Sequence, residues 1–78
     1  MSWDYRILKR TVGEDTGYGI HEVYYAPDGT PEMCSENPSI PFGETAEELA
    51  DDLLGFAEAL KKPILDYATF ENREPPAH

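Results

Sequence analysis

Soft metal ligands are scarce in this chain. It holds one cysteine, Cys34, and two histidines, His21 and His78. A lone thiol forms no internal disulfide, and so few ligands cannot build a zinc site of cysteine and histidine. Positive charge is scarce too. Six Lys and Arg stand against 16 Asp and Glu, for a net charge of -10. Phosphate binding relies on Lys and Arg, so DNA, RNA and anionic membranes are excluded as direct ligands. The excess favours solubility and permits a basic protein partner, steered by the field. No apolar run approaches the roughly 18 residues of a spanning helix. The N-terminus, M-S-W-D-Y-R, lacks the apolar segment of a signal peptide. A cytoplasmic location is therefore expected. The glycines of Gly13-x-x-x-Gly17 and Gly17-x-Gly19 are too few for a phosphate cradle, and no lysine follows them at the required spacing.

The most patterned stretch is Thr45 to Lys62, T-A-E-E-L-A-D-D-L-L-G-F-A-E-A-L-K-K. It reads as one amphipathic helix. Thr45 can accept the backbone N–H of Glu48, and Glu48 can reach back, which is a capping box. Leu49, Leu53, Phe56 and Leu60 fall on one stripe. Glu47, Glu48, Asp51, Asp52 and Glu58 lie away from it. Lys61 and Lys62 suit the negative end of the helix dipole, and Pro63 stops the helix. If the stripe is the core, Leu53→Ala costs about 2–5 kcal/mol.

Ser2 to Val12 reads as a first strand, with Trp3, Tyr5 and Ile7 alternating with Asp4, Arg6 and Leu8. Gly13 to Gly17 is a turn. Tyr18 to Ala26 is the strongest strand and carries bulky groups on both sides, which suits the middle of a sheet. Pro27-Asp28-Gly29 marks a turn. Glu32 to Glu36 pairs back as a short edge strand beside Pro31 and Pro38. Asn37 to Glu44 is a loop in which Ile40 or Phe42 can staple the start of the helix. After Pro63, I-L-D-Y-A-T-F either adds a short fourth strand or lies along the core.

Chemical constellations fall away one by one. His21-Glu22 begins H-E-x-x-H, but Tyr25 holds the last position and the segment is a strand, not a helix. Cys34 and His21 can pair as nucleophile and base. Hairpin register instead places Cys34 opposite Val23 or Tyr24. Adjacent carboxylates on a helix diverge, and the calcium-loop pattern is absent. The tyrosines can stack bases, but no basic groove accompanies them.

Two resemblances follow from motifs. Gly17-Tyr18 with an alternating strand, then P-D-G, then Gly43-Glu44-Thr45-x-x-Glu48-Leu49, resembles the N-terminal domain of HicB-type antitoxins between Tyr5 and Leu60. In that family the domain is a partial ribonuclease-H-like unit that oligomerises and binds a small RNA-cleaving toxin. The family's C-terminal DNA-binding module has no counterpart after the helix, so autorepression is not implied. Separately, Y-G-I-H-E-V-Y-Y, D-G, E-N-P, P-x-G-E-T-x-E-E-L and K-P-I-L-D are similar to a group of small acidic bacterial proteins with no assigned activity.

The combined expectation is an α+β fold. A three-stranded antiparallel β-meander carries one long C-terminal helix on one face, in β-β-β-α order, over a single domain of residues 1–70. A flexible tail covers 71–78. The expected function is non-catalytic: an acidic interaction module, antitoxin-like or inhibitor-like, with a basic protein partner. The alternative is a structural homodimer that buries a sheet face or edge. Candidate partner-binding residues are Glu47, Glu48, Asp51, Asp52, Glu58, His21 and Tyr25. No cofactor, metal or catalytic residue is assigned.

Overall fold

The computed structural model describes residues 2–71. The expected tail over 71–78 lies outside them, apart from the backbone of Glu71. Strand β1 spans Ser2–Val12 and β2 spans Asp15–Tyr25. They form a hairpin in which Leu8 faces Gly19 and Val12 faces Asp15. Only Gly13 and Glu14 remain for the turn. Gly13 takes φ 63°, as the first position of a II′ turn requires. The turn is thus shorter than the Gly13 to Gly17 stretch expected. Strand β3, Pro31–Cys34, returns antiparallel to β2. Its connection has Pro27 early and Gly29 at φ 88°, closed by the Gly29 N–H on the Ala26 carbonyl at 2.8 Å.

Helix α1 spans Ala46–Ala59 and is capped by Thr45, whose hydroxyl accepts the Glu48 N–H at 3.1 Å. It stops short of Lys61 and Lys62. The N–H groups of Leu60, Lys61 and Lys62 donate to the carbonyls of Ala57, Glu58 and Ala59, which tightens the last turn.

The expected β-β-β-α meander with a C-terminal helix is not the fold. Past Pro63 the chain extends, and β4, Leu65–Asp66, pairs parallel to Leu8 and Lys9 of β1. A five-residue helix α2, Tyr67–Glu71, follows. The sheet is four-stranded and mixed, in the order β3-β2-β1-β4. Helix α1 lies in the middle of the chain as the crossover from one edge to the other.

Strand alternation sorts the side chains onto two faces. One carries Asp4, Arg6, Leu8 and Arg10 with His21, Val23 and Tyr25. The other carries Trp3, Tyr5 and Ile7 with Ile20, Glu22 and Tyr24. The tightest packing is on the first face. Leu8 and Val23 are fully buried there against Tyr67 and Phe70, with Tyr25, Cys34 and Leu65 packed around them. The core therefore sits beneath the short α2, not the long α1.

Helix α1 lies over β1 on the second face, and the expected leucine ridge does not seat it. Of the expected stripe Phe56 does turn toward the sheet, but Asp52, Gly55 and Ala59 accompany it in place of the leucines. The Phe56 ring lies 4.5 Å from that of Tyr5, and Ala59 is buried. A β-carbon at Gly55 would come within 3.0 Å of the Tyr5 ring. The bare backbone of Gly55 thus lets the helix settle on Tyr5, and this rolls the ridge outward. Leu49, Leu53 and Leu60 are 37%, 47% and 68% exposed. Neither Ile40 nor Phe42 staples the helix, since both are exposed. Gly43 has no room for a side chain, because a β-carbon there would strike the backbone at Leu49 N and Glu48 C.

Candidate functional site

The seven candidate residues do not form one site. Glu47, Glu48, Asp51 and Glu58 are exposed on α1. At about 100° per residue, Glu47, Asp51 and Glu58 share one side of the helix, away from the sheet. Glu58 pairs with Lys61 at 3.2 Å. Asp52 turns the other way. Its carboxylate accepts the Tyr5 hydroxyl at 2.6 Å and the Phe42 N–H at 2.9 Å. It ties α1 to β1 and to the loop before the helix, and is a latch rather than part of an acidic rim.

This latch shifts both partners. The hydrogen bond to Asp52, then burial, then the carboxylate's charge push Tyr5 from 10.0 up to about 12. The Tyr5 hydroxyl, then the Phe42 N–H, hold Asp52 below its ordinary range. An unfolded tyrosine gives up its proton near pH 10, whereas folded Tyr5 keeps it to about 12. Between these values the native state binds more protons, so stability falls as pH rises. Tyr24 is also raised, first by its hydrogen bond to Glu22, and Tyr25 first by burial. Melting temperatures measured from pH 9 to 12 are expected to hold up to about pH 10 and then decline. Tyr5→Phe is expected to flatten much of that decline, and an equally steep limb in the variant would contradict the latch.

Tyr25 and His21 lie on the opposite face from α1. The Tyr25 hydroxyl donates to Asp4 at 2.7 Å and accepts Arg6 Nη1 at 2.8 Å. Asp4 also pairs with Lys62 at 2.6 Å, and Arg6 Nη2 donates to the Pro63 carbonyl at 2.8 Å. This network fastens the link between α1 and β4 onto β1. Tyr25 is a structural bridge within it. His21 is 2% exposed. Its Nδ1 lies 3.0 Å from the Ser35 carbonyl and 3.3 Å from the Ser35 hydroxyl. Its ring lies 5.7 Å from that of Tyr67. Glu22 points to the other face and accepts the Tyr24 hydroxyl at 2.8 Å. Cys34 stands opposite Val23. Among the described residues, no cluster of three or more His, Cys, Asp or Glu is placed to hold a metal ion. No helix among them is long and apolar enough to cross a membrane.

What does come together is apolar. Around α1, Leu49, Leu53 and Leu60 lie roughly 60–100° from Asp52, at about 100° per residue. Ala46, Ala57 and Ala50 continue the arc. Leu54, 66% exposed, closes it beside Glu47 and Glu58. Phe42, 72% exposed, has its backbone anchored to α1 by its N–H bond to Asp52. The signal for this was present in the sequence. Leu53-Leu54 and the interleaved alanines make the apolar arc too wide for one seated face. Comparison with protein-family models, with curated proteins and with solved structures returned no match.

Proposed function

We propose that the chain is a non-catalytic interaction module that binds a basic protein segment through α1. One observation carries this reading. Among the described residues, eleven large apolar side chains are exposed, and only five apolar residues are buried. Four of the eleven lie on or at the end of α1, and Phe42 lies beside it. Scattered exposed leucines are ordinary, but a contiguous apolar strip on one helix marks a binding surface. The partner that fits is an amphipathic segment. Its apolar side covers Leu49, Leu53 and Leu60. Its Lys and Arg reach Glu47, Asp51 and Glu58 along one border, where the acidic field draws them in. An antitoxin-like or inhibitor-like role is consistent with this surface and with the motif resemblance to HicB-type domains.

A homodimer is the second reading. The small Ala46, Ala50 and Ala57 would let a second α1 approach closely. Against it stands a charge of -10 on each copy, which opposes self-association. Calorimetric titration with a helical peptide carrying leucines on one side and lysines on the other separates the two. Binding that weakens about tenfold or more from low to high salt is expected, with a sedimentation mass near 8.8 kDa for the chain alone. A mass near twice that value, with no peptide bound, would favour the homodimer.

A further inference from the structure

Helix α1 covers only part of its face of the sheet. It packs over β1 and leaves the β2 and β3 side largely open. There the register lines up three side chains in a row across three strands. Trp3 stands opposite Tyr24, and Tyr24 opposite Met33. Trp3 is 50% exposed, Met33 is 48% exposed and Tyr24 is half-buried. Opposed residues on one face lie about 5 Å apart at their β-carbons, so the row forms one shelf. The Trp3 ring meets the Tyr5 ring edge-on, at 5.2 Å and 85°. Tyr5 in turn packs on Phe56 of α1, so the shelf is continuous with the helix.

Glu22 gives the shelf its charge. It precedes Tyr24 by two positions on the same face of β2, and one carboxylate oxygen accepts the Tyr24 hydroxyl at 2.8 Å. Among the described residues nothing donates to its other oxygen, and Glu22 forms no ion pair. Asp52 differs, because Tyr5 and Phe42 use both of its oxygens. The chain's own cations are placed elsewhere. Lys61 pairs with Glu58 and Lys62 with Asp4. Arg6 and Arg10 stand on the opposite face, and Lys9 stands opposite Tyr18, toward the other end of the strands.

We propose that this shelf receives an arginine side chain of the basic partner segment. Its guanidinium lies flat on the Trp3 ring and donates to Glu22. Tryptophan is the best ring for a cation. A planar guanidinium can stack on a ring and bond a carboxylate at once, whereas an ammonium is a compact, strongly hydrated point charge. The net charge of -10 favours a cationic occupant. The proposal rests on the reading of α1 as the docking surface for a basic segment, and the ring contacts from Trp3 to Phe56 join the shelf to that surface.

N-acetylargininamide is the probe. Trp3 is the only tryptophan, so its indole N–H resonance reports on the shelf directly. A saturable shift of that resonance is expected. N-acetylcitrullinamide, alike in shape but uncharged, is expected to bind about fivefold more weakly. Glu22→Gln keeps an acceptor for the Tyr24 hydroxyl and removes the charge. It is expected to keep the fold and to weaken argininamide binding about fivefold. An unmoved Trp3 resonance, equal affinity for the citrulline compound, or undiminished binding to Glu22→Gln would each overturn the shelf, whatever the helical peptide of leucines and lysines does at α1. Argininamide bound by a chain that ignores that peptide would overturn the α1 reading instead, and with it the assignment of the arginine to an α1-bound segment.

Discussion

Leu8→Ala is expected to cost about 2–5 kcal/mol, as for a fully buried leucine whose site cannot collapse. The core of so short a chain rarely supplies more than about 3–5 kcal/mol, so this single change should leave much of the population unfolded at room temperature. The reason is location. Leu8 is 0% exposed and sits with Val23 under Tyr67 and Phe70, in the one cluster among the described residues where several apolar groups are buried together. Leu53→Ala is the matched control. Leu53 is 47% exposed, so its truncation is expected to change stability by less than about 1 kcal/mol. That reverses the cost expected for Leu53 as a member of a seated ridge. Urea unfolding of both variants checks the pair. Equal losses, or a larger loss for Leu53→Ala, would contradict the placement of the core.

The second large effect is on binding. Replacing both Leu49 and Leu53 by Ser removes the centre of the exposed strip. Central apolar anchors of an interface each contribute about 2 kcal/mol, so losing both is expected to lower peptide affinity by about several hundredfold. The melting temperature should change little, because neither side chain is seated on the sheet. Glu47→Gln with Asp51→Gln should act differently. It should weaken binding modestly and reduce its salt dependence, as rim charges do. Asp52→Asn belongs to neither class. It disturbs the bonds from Tyr5 and Phe42, so it should loosen α1 before it alters any partner contact. Binding unchanged in the Leu49/Leu53 variant would rule out this strip as the docking surface.

Local signals in the sequence were reliable where a single residue's chemistry decides the backbone. Thr45 caps α1, the limits of β1 agree, and Gly29 closes the second connection. The failures have other causes. The short strand allowed for after Pro63 does form as β4, but its two paired residues and the five of α2 are too few to show a period or a place in the sheet. Their position is dictated by what they cover, since Leu65, Tyr67 and Phe70 complete the core around Leu8 and Val23. The rotation of α1 was hidden for a different reason. Leucine spacing identifies a stripe but not which side of a wide apolar arc rests on the sheet. Gly55 decides that, by accepting the Tyr5 ring at a distance no other residue allows without displacement. Asp51 and Asp52 looked alike as neighbours, yet one faces water and the other bonds Tyr5. The candidate site was legible only as an acidic helix face. The width of its apolar neighbour was visible in Leu53-Leu54 and the alanines, but which part stays unseated depends on how Gly55 and Phe56 rest on Tyr5.

The most direct test is paramagnetic relaxation of leucine methyls by a soluble gadolinium chelate, measured on the dilute chain. The methyls of Leu49, Leu53, Leu54 and Leu60 are expected to relax strongly, while those of Leu8 stay nearly unaffected. Protection of Leu49 and Leu53 matching that of Leu8 would show that the helix seats its leucines on the sheet after all.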